Sequence, residues 1–243
     1  MKRRDFVNTT MIIGATTPYL SFLGLQPVLD FEEITGQKDP ELFGKGYRLR
    51  KEASEAFAEM KSAAAKVKID LFSVSSYRSF NDQKRIWNNK YQRFTKAGDS
   101  PKAAIARIIE YSTIPGTSRH HWGTDIDIVD GNKDVQGDRL LPGLFQKGQP
   151  YEELKVWLDE NATGYGFYEV YTNKPGRKGF KYEPWHLTYE PMSKGILKQY
   201  MEIDFGGLLR KLTIDGNKHF DNSFIDRYWK ENMMDINPSL IPS

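Results

Sequence analysis

Gly123-Thr124-Asp125-Ile126-Asp127-Ile128-Val129 alternates polar and apolar side chains, with Ile126 and Ile128 on one face and Asp125 and Asp127 on the other. A period of two predicts a half-buried strand that carries carboxylates on its open face. Just upstream, Ser112 to Trp122 holds Pro115 and Gly116 and lacks any period, so it reads as a loop. Asn81 to Phe94 and Pro101 to Tyr111 read as helices, the second with Pro near its start. Ile69 to Ser76 alternates again and predicts another strand. From Tyr47 to Val67 the apolar positions Leu49, Ala53, Phe57, Met60, Ala64 and Val67 recur at steps of three and four, which predicts an amphipathic helix.

Downstream, Tyr151 to Leu158 is a short predicted helix. Tyr165 to Thr172 and Trp185 to Tyr189 read as strands around a Lys/Gly-rich turn over Asn173 to Gly179. Pro191 to Ile203 and Asp221 to Met234 complete the expected helices. Strands and helices mixed in this way predict an α+β domain, a small antiparallel sheet flanked by helices.

The chain has 243 residues, of which 39% are hydrophobic and 28% charged, enough to bury a substantial core. Its formal net charge is +3, and the first 25 residues hold +2 of it. A nearly neutral body excludes the basic surface of a nucleic-acid binder. Cysteine is absent, which rules out disulfides, thiolate zinc fingers and a cysteine nucleophile. A metal site must therefore draw on Asp, Glu and the four histidines, His120, His121, His186 and His219. Lys2-Arg3-Arg4-Asp5-Phe6 followed by a modest apolar stretch from Met11 to Leu25 has the layout of an export signal of twin-arginine type. Thr16, Thr17 and Pro18 interrupt that stretch, so no stable transmembrane anchor is expected. The organisation expected is a signal over 1–25, a linker or arm over 26–45, a catalytic domain over 46–204 and a helical C-terminal extension over 205–243.

The scarce histidines carry the chemical signal. His120 ends the loop before the strand bearing Asp127, and His186 lies in Glu183-Pro184-Trp185-His186, on another predicted strand. A catalytic zinc ion takes three protein ligands and keeps a fourth position open. His120, Asp127 and His186 supply three if those two strands pair. Glu183, three residues before His186, is placed to sit beside the metal as a proton acceptor for an attacking water. The adjacent His121 leaves the ligand identity to register, with alternation favouring His120.

Ser118-Arg119-His120-His121-Trp122-Gly123-Thr124-Asp125-Ile126-Asp127 resembles the Ser-x-His-x-x-Gly-x-Ala-x-Asp motif of the D-alanyl-D-alanine carboxypeptidase family (VanY-like), part of the LAS zinc metallopeptidases. Glu183-Pro184-Trp185-His186 resembles that family's Glu-x-Trp-His motif, and Ser76-Tyr77-Arg78-Ser79 followed by Gln83 resembles its Tyr-Arg-Ser…Gln segment. The three occur in the family's order. The resemblance implies a sheet that carries Zn2+ on His120, Asp127 and His186, with Glu183 as general base. It also implies that Arg78 stabilises charge on the scissile carbonyl, and that Gln83 and Ser118 line the substrate site. The implied substrate is the peptidoglycan stem peptide, the implied product its terminal D-alanine, and the implied location the periplasm or cell envelope. Endopeptidase, dipeptidase and non-catalytic wall-binding readings share the same motifs.

One departure stands out. The motif's small Ala position holds Asp125, which can bond a ligand imidazole from outside the coordination sphere or compete as a ligand. Trp122 and Trp185 flank the ligand positions, as groove walls or as core. Asp130 reads as solvated, and His219, in turn-like sequence, takes no role.

Overall fold

The computed structural model describes residues 28–243, so the expected signal over 1–25 lies outside the described residues. Eight α-helices among these residues surround a sheet: α1 Phe31–Ile34, α2 Lys51–Lys66, α3 Phe80–Lys96, α4 Pro101–Ile108, α5 Glu152–Asn161, α6 Glu190–Tyr200, α7 Phe205–Lys211 and α8 Asn222–Tyr228. The strands are β1 Leu71–Ser75, β2 Asp125–Asp130, β3 Phe167–Glu169 and β4 His186–Tyr189. They form one sheet in the order β1-β2-β4-β3, antiparallel throughout. The fold is thus the α+β arrangement expected.

Local chemistry sets the element ends. The amphipathic run read from Tyr47 begins as helix only at Lys51, because Phe43 and Leu49 pair as an antiparallel bridge and keep the chain extended. Ser79 caps α3 by accepting from the Asp82 N–H, and Ser100 does the same for α4 from Ala103, ahead of Pro101 in the first turn. Asp221 caps α8, which runs only to Tyr228 before the chain widens into a π-turn over Trp229–Met233. The loop expected before β2 closes with a 3-10 turn, Arg119–Trp122, ended by Gly123 at φ +69°.

The buried apolar residues form two clusters. Ile126, Ile128, Leu187 and Phe167 face α2 and α5, where they pack with Phe57, Met60, Leu154 and Leu158. The second cluster joins Trp87 of α3 and Ile108 of α4 to Ile196 and Tyr200 of α6. Residues beyond 204 share it, including Leu209, Ile225, Tyr228 and Leu240. Trp122 belongs to this core, with its ring 5.9 Å from that of Tyr200. Trp185 packs in the first cluster, with its ring 5.9 Å from Phe145, and shows an edge to the cleft described below.

Two sequence expectations need correction. β2 is buried along its whole length, not half-buried, because it is an inner strand covered on both faces. Asp130 is buried too, and its Oδ1 accepts from the N–H groups of Asp70 and Asn132. Its carboxylate closes the turn at the strand end, a tertiary role that alternation alone does not reveal.

Candidate metal centre and substrate cleft

Pairing of β2 with β4 sets Asp127 directly opposite His186 and Asp125 opposite Thr188. Residues opposite each other in a ladder share a face with Cβ atoms roughly 5 Å apart, so side chains 59 positions apart in the chain meet on the sheet. The 3-10 turn then brings His120 over the same face. One donor atom from each of His120, Asp127 and His186 lies within 4.8 Å of the others, and all three residues are buried.

The hydrogen bonds identify which atoms are available. His120 Nδ1 is 2.7 Å from the Ser76 carbonyl, so this nitrogen carries the proton and Nε2 keeps its lone pair. Nε2 is buried without a hydrogen-bond partner, as is Asp127 Oδ1. His186 Nε2 is 3.0 Å from Asp125 Oδ1, which leaves Nδ1 for the site, 3.5 Å from Asp127 Oδ1. Orphaned buried acceptors that converge are costly without a cation between them. Two imidazole nitrogens and a carboxylate oxygen fit a catalytic zinc ion with an open fourth position.

His121 is the structural neighbour. Its Nδ1 donates to the Arg78 carbonyl at 2.7 Å, and its Nε2 accepts from the Gly116 N–H at 3.1 Å. Burial pushes this imidazole down to about 3, so it stays neutral and holds those two bonds. The Arg78 N–H also donates to the His120 carbonyl at 3.2 Å. Ser76 and Arg78 thus clamp both histidines through backbone atoms.

Electrostatics favour a cation at the centre. Burial would lower His186, but its bonds to Asp125 and Glu183 and the charge of Asp127 push it up to about 10. A divalent ion would displace that proton from Nδ1. Burial raises Glu183, with His186 pulling the other way; its Oε2 lies 3.1 Å from His186 Nδ1. Asp127 is held below the usual carboxylate range, because His120, His186 and Arg78 outweigh its burial.

A cleft of about 560 Å³ opens over these residues. Arg78, Ser118, His120, Asp127, Glu183 and His186 all line it. Arg78 Nη2 is 3.5 Å from Asp127 Oδ2, and its Nε is buried without a partner. Ser118 Oγ is likewise unpartnered. Gln83 is placed differently: fully buried on α3, it accepts from Arg78 Nη1 at 2.9 Å and donates to the Thr113 carbonyl at 2.8 Å. It touches Arg78 and does not line the cleft.

Two features escaped the sequence reading. Lys90, two turns beyond Gln83 on α3, lines the cleft with its ammonium on Ser112 Oγ at 2.5 Å and, among the described residues, no carboxylate within 4.0 Å. Its signal was the helical spacing from Gln83. The second is a pair of tyrosines behind the site. Tyr228 lies 3.1 Å from the Ile114 N–H and 2.9 Å from Thr117 Oγ1, and Tyr200 donates to the Gly116 carbonyl at 2.9 Å. They fix the segment that leads into Ser118, and nothing local in the sequence announces that contact.

The family model of D-alanyl-D-alanine carboxypeptidase, VanY, matches residues 46–192, more than half of the chain. This chain belongs to that family. A D-alanyl-D-alanine carboxypeptidase of Enterococcus faecalis is 30% identical over 159 residues, covering 64% of this chain and 54% of that protein. YodJ of Bacillus subtilis is 34% identical over 142 residues, covering 58% of this chain and 46% of its own length. The chain therefore spans about half the length of these curated relatives. Among solved structures, VanYB in complex with D-alanine-D-alanine superposes with a TM-score of 0.52 at 24% identity, covering 72% of this chain and 91% of that one. A VanY D,D-pentapeptidase mutant in complex with Zn(II) gives 0.50 at 22% identity, covering 76% and 90%. Both likenesses are of fold. Among the described residues no helix is long and apolar enough to cross a membrane.

Proposed function

We propose that this member of the VanY family is an exported zinc-dependent carboxypeptidase that removes the C-terminal D-alanine from peptidoglycan stem peptides. The observation that carries the reading is the convergence of unpartnered His120 Nε2 and Asp127 Oδ1 with His186 Nδ1, beside the buried Glu183 carboxylate. The family supports it, as do the dipeptide bound by VanYB and the zinc ion of its relative. We assign the chemistry to 46–204, with 205–243 propping the segment before Ser118 through Tyr228.

His120, Asp127 and His186 would hold the zinc. When bound, zinc would supply Lewis-acid chemistry, drawing electron density from the scissile carbonyl and acidifying the attacking water. Glu183 accepts the proton of the attacking water and passes it to the departing amine nitrogen. Its burial makes it a stronger base than an ordinary carboxylate, which suits that transfer. Arg78 donates from its free Nε to the carbonyl oxygen as negative charge grows there. Gln83 acts through Arg78 by fixing the guanidinium plane. Ser118 Oγ is a free donor for the substrate, and Lys90 offers positive charge to its terminal carboxylate. A retained base also separates this reading from a wall-binding protein with structural zinc, which has no use for Glu183.

The test is incubation of the zinc-loaded protein, with and without chelator, with muropeptides ending in D-Ala-D-Ala and in L-Lys-D-Ala. Chelator-sensitive release of free D-alanine, followed by mass spectrometry, is expected. Release of the dipeptide, cleavage within the stem, or no cleavage with zinc bound would each replace this reading with the dipeptidase, endopeptidase or wall-binding one.

A further inference from the structure

Asp125 stands where the family motif places a small residue, and it is completely buried. Its two oxygens are fully used. Oδ1 accepts from Arg119 Nε at 2.9 Å and from His186 Nε2 at 3.0 Å. Oδ2 accepts from the hydroxyls of Thr124 and Thr188, each at 2.7 Å. Arg119 Nη2 also donates to Thr188 Oγ1 at 3.0 Å, so the guanidinium and Thr188 brace the same carboxylate. The Arg119 guanidinium in turn lies 4.5 Å over the Trp122 ring, on the turn that carries His120.

Four donors on two oxygens leave Asp125 no free direction toward the metal position, which removes it as a competing ligand. A buried Arg–Asp pair is poor evidence of a stabilising device, since desolvation costs several kcal/mol per ion. Its position suggests another purpose. We propose that Asp125, held by Arg119, Thr124 and Thr188, is a positioning residue that fixes His186 as the Nε2–H tautomer, aims its Nδ1 at the metal and strengthens it as a ligand. The inference rests on the assignment of His120, Asp127 and His186 as the metal set.

The physical basis is general. A ligand imidazole that donates its second N–H to a carboxylate has one tautomer, one ring orientation and a more basic ligating nitrogen, and loss of such partners weakens metal binding about 10–100-fold. Here the device depends on a matched pair. Asp125 alone would bury an uncompensated anion, and Arg119 alone an uncompensated cation, so the two residues are expected to be replaceable only together.

Two measurements test this in the full chain. Nitrogen-15 NMR of the zinc-loaded wild type should show His186 protonated at Nε2, with a downfield proton, and bare at Nδ1. A proton on Nδ1 would overturn the inference whatever the variants do. Zinc affinity, read by competition with a chromophoric chelator, should fall about 10–100-fold in the paired variant Arg119→Met/Asp125→Ala. Asp125→Asn keeps an acceptor and loses the charge, so it should fall between the paired variant and wild type. Circular dichroism and thermal melts of the metal-free proteins report whether each variant still folds; Asp125→Asn leaves Arg119 without its counter-charge, so should neither variant fold, the wild-type NMR signature carries the test. Folded variants that bind zinc within threefold of wild type would refute the positioning role. Wild type that binds no zinc would refute the metal assignment itself, and with it this inference.

Discussion

Replacing Glu183 by Gln changes one atom and removes one function. The side chain is buried, and its Oε2 lies 3.1 Å from His186 Nδ1, beside the ligand set and outside it. An amide of the same volume fills the same space and accepts hydrogen bonds, but it cannot take a proton from water. General-base catalysis contributes about 10²–10⁴ in rate, so kcat should fall by that factor, or about 3–5 kcal/mol of transition-state stabilisation. Stability should not suffer, since burial already disfavours the charge on Glu183. The assay combines initial rates of D-alanine release with zinc content by atomic absorption and a thermal melt. A variant that retains stoichiometric zinc and works within threefold of wild type would refute the role of Glu183 as base. One that loses zinc and activity together would instead make Glu183 a ligand.

Other consequences are open to direct measurement. With zinc at about 1,000 times its Kd, metal binding adds about 4 kcal/mol, so chelation should lower Tm by roughly 8–16 °C, and His120→Ala should abolish that shift. Tyr228→Phe removes the hydroxyl that satisfies the buried Ile114 N–H; it should cost about 1–3 kcal/mol, read as a chemical-denaturation midpoint, and an unchanged midpoint would discount the C-terminal prop. Gly36 has φ +74°, and a Cβ there would fall on the His121 ring. Gly36→Ala should therefore destabilise by about 2 kcal/mol or more and disturb the site from outside it. Lys90→Met should raise KM about tenfold for substrates with a free terminal carboxylate while leaving kcat nearly unchanged; equal KM values would remove Lys90 from substrate recognition.

Much of the sheet was legible because short-range patterns are physical. Alternation at Asp125–Val129 placed Ile126 and Ile128 on one face, and they do pack against α2 and α5. The same pattern misled at Asp130 and over the exposure of β2, since period two separates faces but cannot say what covers each one. The helix read from Tyr47 to Val67 began late for a similar reason: the bridge of Phe43 to Leu49 is a pairing that periodicity does not encode. The motif around Gln83 points to the substrate site, whereas the folded chain turns its amide inward to Arg78 and Thr113.

The chemistry available to this protein is already legible in its residue types and their spacing. With no cysteine and four histidines, the donors for a metal were few, and their motifs named both the candidates and the family. Which atoms do what is set by folding. The register of β2 against β4 put Asp127 opposite His186. Hydrogen bonds to the Ser76 and Arg78 carbonyls turned His120 toward the site and His121 away from it. Four donors made Asp125 a support for His186 and closed it as a ligand. These are choices among lone pairs. A lone pair's direction depends on partners supplied from distant parts of the chain, and so becomes fixed only when the chain folds.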